Sequence, residues 1–218
     1  MIQVEEIFDF LAALMVLVAI WAQVGSYVIS KIQVIVIQTS ILSTYALLSG
    51  IYSVSYELII LAFLIIFLRG ILTAVILLRK FPERSQLIRE RSTTVPSIII
   101  LSIATIIITL IVYRLSLFPI LTGIINETAV QENQPIIAIG FVLVIQGLLL
   151  IATRKNKVTQ FTGYIEVENA MILLSLGIFP LPLIVEISVL LDVLALVIVA
   201  SVLLSGNMTS ERIEELVG

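Results

Sequence analysis

The sequence predicts an all-α, polytopic transmembrane helical bundle. Three observations carry that prediction: an extreme apolar content, apolar runs of spanning length, and basic residues confined to alternate gaps between the runs. Of 218 residues, 60% are hydrophobic and only 12% are charged, and the mean hydropathy is +1.22. Soluble domains are roughly 45–50% apolar and about 25% charged, so the solvent for most of this chain must be lipid. A net charge of −3 offers nucleic acid nothing to bind. Cys and His are both absent. That removes thiolate-held iron–sulfur clusters, the common zinc sites, imidazole-bound haem and every Cys- or His-based nucleophile. Any catalysis would rest on carboxylates, hydroxyls or a borrowed cofactor.

A spanning helix takes about 20 mostly apolar residues. At that length, spans fall at 7–29, 32–50, 55–78, 95–114, 135–153, 159–180 and 182–205. The first is longer than the apolar region of a signal peptide, with no small-residue cleavage pattern after it, and reads as a retained span. The fourth is nearly pure Ile, Ala, Ser and Thr, which lipid tolerates as helix because the backbone has no other partner. Pro96, Pro135 and Pro182 stand in the first turn of three spans, where a missing N–H costs least. Pro180 and Pro182 make the last turn. The prolines are expected as punctuation, not as kinks inside helices.

Basic residues orient the bundle. Arg79, Lys80, Arg84, Arg89 and Arg91 follow the third span, Arg154, Lys155 and Lys157 follow the fifth, and Lys31 follows the first. The connections 51–54, 115–134 and 181 carry no Lys or Arg. This predicts the N-terminus outside, the C-terminus in the cytoplasm and about seven crossings. The 115–134 connection, with Phe118, Pro119, Glu127 and Glu132, fits either a loop or a short helix at the outer surface. The polar tail from Asn207 to Gly218 reads as a short cytoplasmic segment.

Ionisable side chains inside the spans are the functional candidates, because a buried charge costs a few kcal/mol even on lenient insertion scales. Glu168 and Asn169 lie near the middle of the sixth span and Asp192 near the middle of the seventh. These antiparallel neighbours put Glu168 and Asp192 at a similar level. Glu166 lies about 3 Å nearer the cytoplasm, and Glu186 roughly 9 Å outward of Asp192. Glu166 and Glu168 point about 200° apart, so they serve different faces. Arg69 in the third span is again near mid-depth. Gln38, Thr39 and Ser40 in the second span, and Gln146 beside Gly147 in the fifth, supply neutral polar groups at comparable depth.

These residues describe a polar layer across the bilayer centre. Desolvation favours the neutral carboxyl and a nearby cation favours the charged one. That opposition suits a group that must take up and release a proton repeatedly. Glu168, Glu186 and Asp192 are the candidate carriers and Arg69 the tuning cation, its own proton being unavailable. A structural reading stands beside this. Glu57 and Arg114, near span ends, fit snorkelling to the interface. Arg69 also fits an ion-pair lock between helices, and Gln38 and Gln146 fit interhelical hydrogen bonding.

The stretch Gly163-Tyr-Ile-Glu-Val-Glu-Asn-Ala170, followed by Leu183-Ile-Val-Glu-Ile-Ser-Val-Leu-Leu-Asp192, resembles the hydrogenase-4 component E family. That family's pattern here is a Gly-Tyr, a mid-span Glu-Asn, then a Val-Glu and an Asp in the last span. These fall on Gly163-Tyr164, Glu168-Asn169, Val185-Glu186 and Asp192. The last three spans also resemble subunit K of complex I (NADH-quinone oxidoreductase) and the three-span subunit of the multisubunit cation/proton antiporters. The likeness is specific over 135–218 and divides the chain into a four-span region, 1–134, and a subunit K-like region, 135–218. Two departures stand out. The family's third-span Lys, with a Pro shortly after, is replaced by Arg69 with no Pro before Pro82. The subunit K register puts its glutamate at Ile165, beside Glu166, so either Glu166 or Glu168 stands as its functional equivalent.

The resemblance implies a membrane-arm subunit of a complex I-related assembly, such as a membrane-bound [NiFe]-hydrogenase or formate hydrogenlyase, in a prokaryotic plasma membrane. The chain would hold no cofactor and would not be catalytic alone. Its partners would be antiporter-like and quinone- or redox-connecting membrane subunits. Its carboxylates would join a lateral hydrophilic axis for protons or sodium. The rival readings are a subunit of a cation/proton antiporter without a redox module, a passive membrane scaffold, and a stand-alone transporter. Against the last stands the lack of an inverted repeat with broken helices in matching halves.

Overall fold

The computed structural model describes residues 4–25, 27–80, 95–124, 131, 133–154 and 156–178. They are helical apart from short turns, with no β-strand among them. Helix α1 is Val4–Val24 and α2 is Val28–Tyr52. Helix α3 runs from Tyr56–Leu64 through a π-helical segment, Ile65–Leu72, into Thr73–Lys80. Helix α4 runs from Val95–Val112 through a second π segment, Tyr113–Leu117, into Phe118–Ile124. Helices α5, Gln134–Thr153, and α6, Lys157–Ile178, follow. Five stretches, in α1 to α5, are long and apolar enough to cross a membrane. Helix α6 has 22 residues, but Glu166, Glu168 and Asn169 in its middle make it less apolar than those five. The seventh expected span and the tail lie outside the described residues, and with them Glu186 and Asp192.

Helix α2 packs on α1, α3 and α6, while α5 packs on α1, α4 and α6. One core cluster takes Ala12 and Met15 from α1, Leu42 from α2, Leu61 from α3, Leu143 from α5 and Leu173 from α6. Its members come from both sides of the 134/135 division, so the two sequence regions share a single interior. The closest approach joins α5 and α6. A Cβ on Gly147 would stand 2.8 Å from the Gly163 carbonyl oxygen, and a Cβ on Gly163 would stand 2.8 Å from that of Gly147. Small residues let backbones meet this closely where lipid supplies no hydrophobic drive between helices.

The structure changes the expectations for Lys31, Arg154 and Pro119. Lys31 is not in a loop; it sits in the first turn of α2 and is 1% exposed. Arg154, after α5, is likewise buried. The reason is the end of α1, whose last carbonyls have no intrahelical partner and carry the negative end of the helix dipole. Lys31 Nζ donates to the carbonyl of Ala22, and Arg154 Nη2 donates to that of Gln23.

The connection expected over 115–134 begins as helix, because α4 continues to Ile124. Pro119 therefore stands inside a helical run, contrary to its expected role as punctuation. Proline removes an N–H and crowds the carbonyl four residues back, and the π segment immediately upstream absorbs that misfit. Tyr113 anchors the stretch, buried with its ring 5.9 Å from Phe141 and 6.2 Å from Phe118. Arg114 remains exposed, with its guanidinium 5.2 Å from the centre of the Phe118 ring.

Candidate ion-translocation site

Arg69 lies within the π segment of α3 and is 2% exposed. The wide turn is marked by Thr73 Oγ1, which donates to the Leu68 carbonyl five residues back at 3.0 Å. From this position the guanidinium reaches α6. Nη1 donates to Asn169 Oδ1 at 3.2 Å, and Nη2 lies 3.6 Å from Glu168 Oε2. Asn169 Nδ2 in turn points at Gln38 Oε1 and Thr39 Oγ1 of α2, each at 3.4 Å. Glu168, Asn169, Gln38 and Thr39 are all buried. A cation, a carboxylate and three neutral polar groups from α2, α3 and α6 thus form one network away from either helix end.

This arrangement has a clear electrostatic character. A guanidinium keeps its charge at any working pH, so it fixes one positive charge beside Glu168. The amide of Asn169 extends the polar run from Arg69 to α2. Adjacent residues on α6 both reach Arg69 because the guanidinium presents a broad fork of donors.

Glu166 stands apart. It is 0% exposed, and neither carboxylate oxygen has a hydrogen-bond partner among the described residues. Ala170 and Leu173, four and seven residues further along the same stripe of α6, belong to the core cluster with Ala12 and Met15 of α1. Two residues of helix turn Glu166 and Glu168 to different faces of α6, and Glu168 meets Arg69 of α3.

Gln146 belongs to a different network. Its Oε1 accepts from Ser102 Oγ at 2.8 Å, and its Nε2 donates to the Ser102 carbonyl at 3.0 Å and to Thr105 Oγ1 at 2.9 Å. Its backbone carbonyl accepts from Gln23 Nε2 at 2.8 Å. These bonds tie α1, α4 and α5 together and make no link to Arg69. Gln38, by contrast, joins the Arg69 network. Gln23, Lys31, Arg154, Ser102 and Thr105 do not stand out as site residues in the sequence. Gln23 carries the same signal as Gln38, a lone amide inside an apolar run; Ser102 and Thr105 are inconspicuous among the small polar residues of α4. Glu186 and Asp192 lie outside the described residues. No group of three or more carboxylates is placed to hold a metal ion among the described residues.

Compared with known protein families, curated proteins and solved structures, the chain matches none.

Proposed function

We propose that this chain is a membrane-arm subunit of a redox-driven ion pump related to complex I, of the membrane-bound hydrogenase or formate hydrogenlyase type. In this reading about seven helices cross a prokaryotic plasma membrane, with the N-terminus outside and the C-terminus in the cytoplasm. Redox chemistry belongs to partner subunits, and this chain supplies polar groups to a path for protons or sodium. The observation that carries the reading is the Arg69–Glu168 pair extended through Asn169 to Gln38 and Thr39. Ionisable groups held at membrane depth face bundle interiors and mark ion paths and proton relays. A pair kept only for stability would gain little over apolar packing. Glu186 and Asp192 of the next span would extend the same path.

The test has two arms. A tagged native chain is purified with its partners and these are identified. A hydrogenase large subunit among them supports the redox-driven assembly, whereas antiporter subunits alone favour the redox-free reading. Separately, Glu168→Gln and Asp192→Asn are introduced and ion translocation is measured in inverted membrane vesicles. Loss of translocation with intact assembly is the expected result. Normal pumping in both variants would sink the conducting role and leave a scaffold.

A further inference from the structure

Among the described residues, Arg114 is a charge without a counter-charge. It lies in the π segment of α4, is exposed, and makes no hydrogen bond or ion pair there. What it meets is the ring of Phe118, whose centre is 5.2 Å from the guanidinium carbon. Tyr113, one residue back, is buried against Phe118 and Phe141 and holds the turn in place. From Val95 to Val112 no residue is charged, so the guanidinium stands at the end of a wholly apolar run. Steps of three and four residues return to one side of a helix, and Ile100, Ile103, Ile107 and Ile111 lie in that register with Arg114. These four are between 46% and 68% exposed, an apolar strip that no described helix covers.

Depth sets what can answer this charge once α4 crosses a bilayer. At about 1.5 Å per residue, Arg114 stands about 25 Å from Ser97, where the apolar run begins. A hydrocarbon core is about 30 Å thick, so the Arg114 backbone lies about 5 Å inside its far boundary. A long side chain that snorkels reaches the phosphate level from there. An aromatic face recovers only a fraction of what a guanidinium loses on leaving water, so a formal negative charge is needed as well. Phosphate matches the planar fork of donors with two parallel hydrogen bonds. A free anion has no use for the isoleucine strip, and a carboxylate on a partner helix would pay its own desolvation at that depth. A lipid phosphate already resides there, and its acyl chains fit the strip.

We propose that Arg114, steadied by Phe118, and the exposed isoleucine strip of α4 form a binding site for one phospholipid. Its phosphate sits on the guanidinium and its acyl chains run along Ile111, Ile107 and Ile103. On the orientation proposed above, this lipid belongs to the outer leaflet. The site goes beyond the proposed function: it rests on α4 crossing a bilayer and stands whether or not the chain assembles with redox subunits.

The test uses the full chain alone, so its outcome is separate from the partner identification. The chain has no cysteine, and Leu115→Cys therefore carries a single fluorophore beside the site, at a side chain that is 73% exposed. In a phosphate-free maltoside detergent, the labelled chain is titrated with phosphatidylglycerol bearing a nitroxide on one acyl chain. A parallel titration uses diacylglycerol with the same nitroxide. Half-quenching takes about tenfold less phosphatidylglycerol than diacylglycerol, in keeping with a charge-assisted hydrogen bond. Adding Arg114→Gln abolishes that preference, and excess inorganic phosphate leaves the quenching of the labelled parent unchanged. Equal quenching by the two lipids in the labelled parent, which needs no further variant to fold, overturns the site. So does an undiminished preference in Arg114→Gln. Displacement of the lipid by inorganic phosphate also overturns it, and leaves Arg114 as a contact for any anion.

Discussion

Arg69 and Glu168 form an ion pair with almost no exposure. Removing one partner of a buried pair strands the second charge and costs about 3–5 kcal/mol, whereas replacing both by apolar groups is often near neutral. Arg69→Met should therefore lower unfolding stability in detergent by about that amount. The double variant Arg69→Met/Glu168→Met should recover most of the loss and, on the function proposed above, abolish translocation. Ser102 offers the contrast, since its hydroxyl serves the Gln146 network of α4 and α5. Ser102→Ala should cost about 0.5–1.5 kcal/mol in the same unfolding assay, in line with interhelical hydrogen bonds in lipid. On the function proposed above, translocation by the assembled protein should be unchanged, because Ser102 bonds to Gln146 and not to the Arg69 network among the described residues. Equal transport defects in the two variants would contradict the separation of the networks.

Among the elements, the α5–α6 pair and the two π segments most shape the site. Gly147 and Gly163 let α6 approach α5 until side chains no longer fit between them. An alanine at either position would meet backbone, with Gly163 O and Val167 N within 2.9 Å of a Cβ on Gly147. Gly147→Ala should destabilise the bundle by about 1–3 kcal/mol, the usual cost of overpacking. Gly123→Ala is a built-in control, because nothing lies within 4 Å of its Cβ position. Thermal unfolding of the two variants side by side checks both. Gly163, noticed in the sequence as a marker of family likeness, thus has a packing role in this chain. The π segment of α3 places Arg69 in a widened turn; Pro is absent from Ile65–Leu72, and Gly70 is the one weak helix former in it.

At the scale of the described bundle, one interior takes side chains from both sides of position 134/135. Helix α1 touches α5 and α2 touches α6, and Arg154 reaches across to cap α1. Residues 1–134 and 135–218 made as separate chains in one membrane should therefore copurify through a tag on either piece. Failure to associate would show that the shared core is too weak to hold without covalent continuity.

The sequence by itself determined the helical class, the apolar stretches long enough to cross a membrane, and which buried polar residues to watch. Those features are legible because apolar length and charge placement are local quantities, readable one segment at a time. It also separated Glu166 from Glu168, since two residues of helix turn them to different faces. Only the tertiary structure decided which neighbours each face meets. It put Arg69, Glu168, Asn169, Gln38 and Thr39 into one network, moved Gln146 into another, and carried α4 through Pro119. It also moved Lys31 from a loop into α2 and put the side chains of Lys31 and Arg154 on the carbonyls of α1. Partners separated by 100 or more residues are set by helix packing, and packing depends on small residues and unsatisfied helix ends that no hydropathy pattern records.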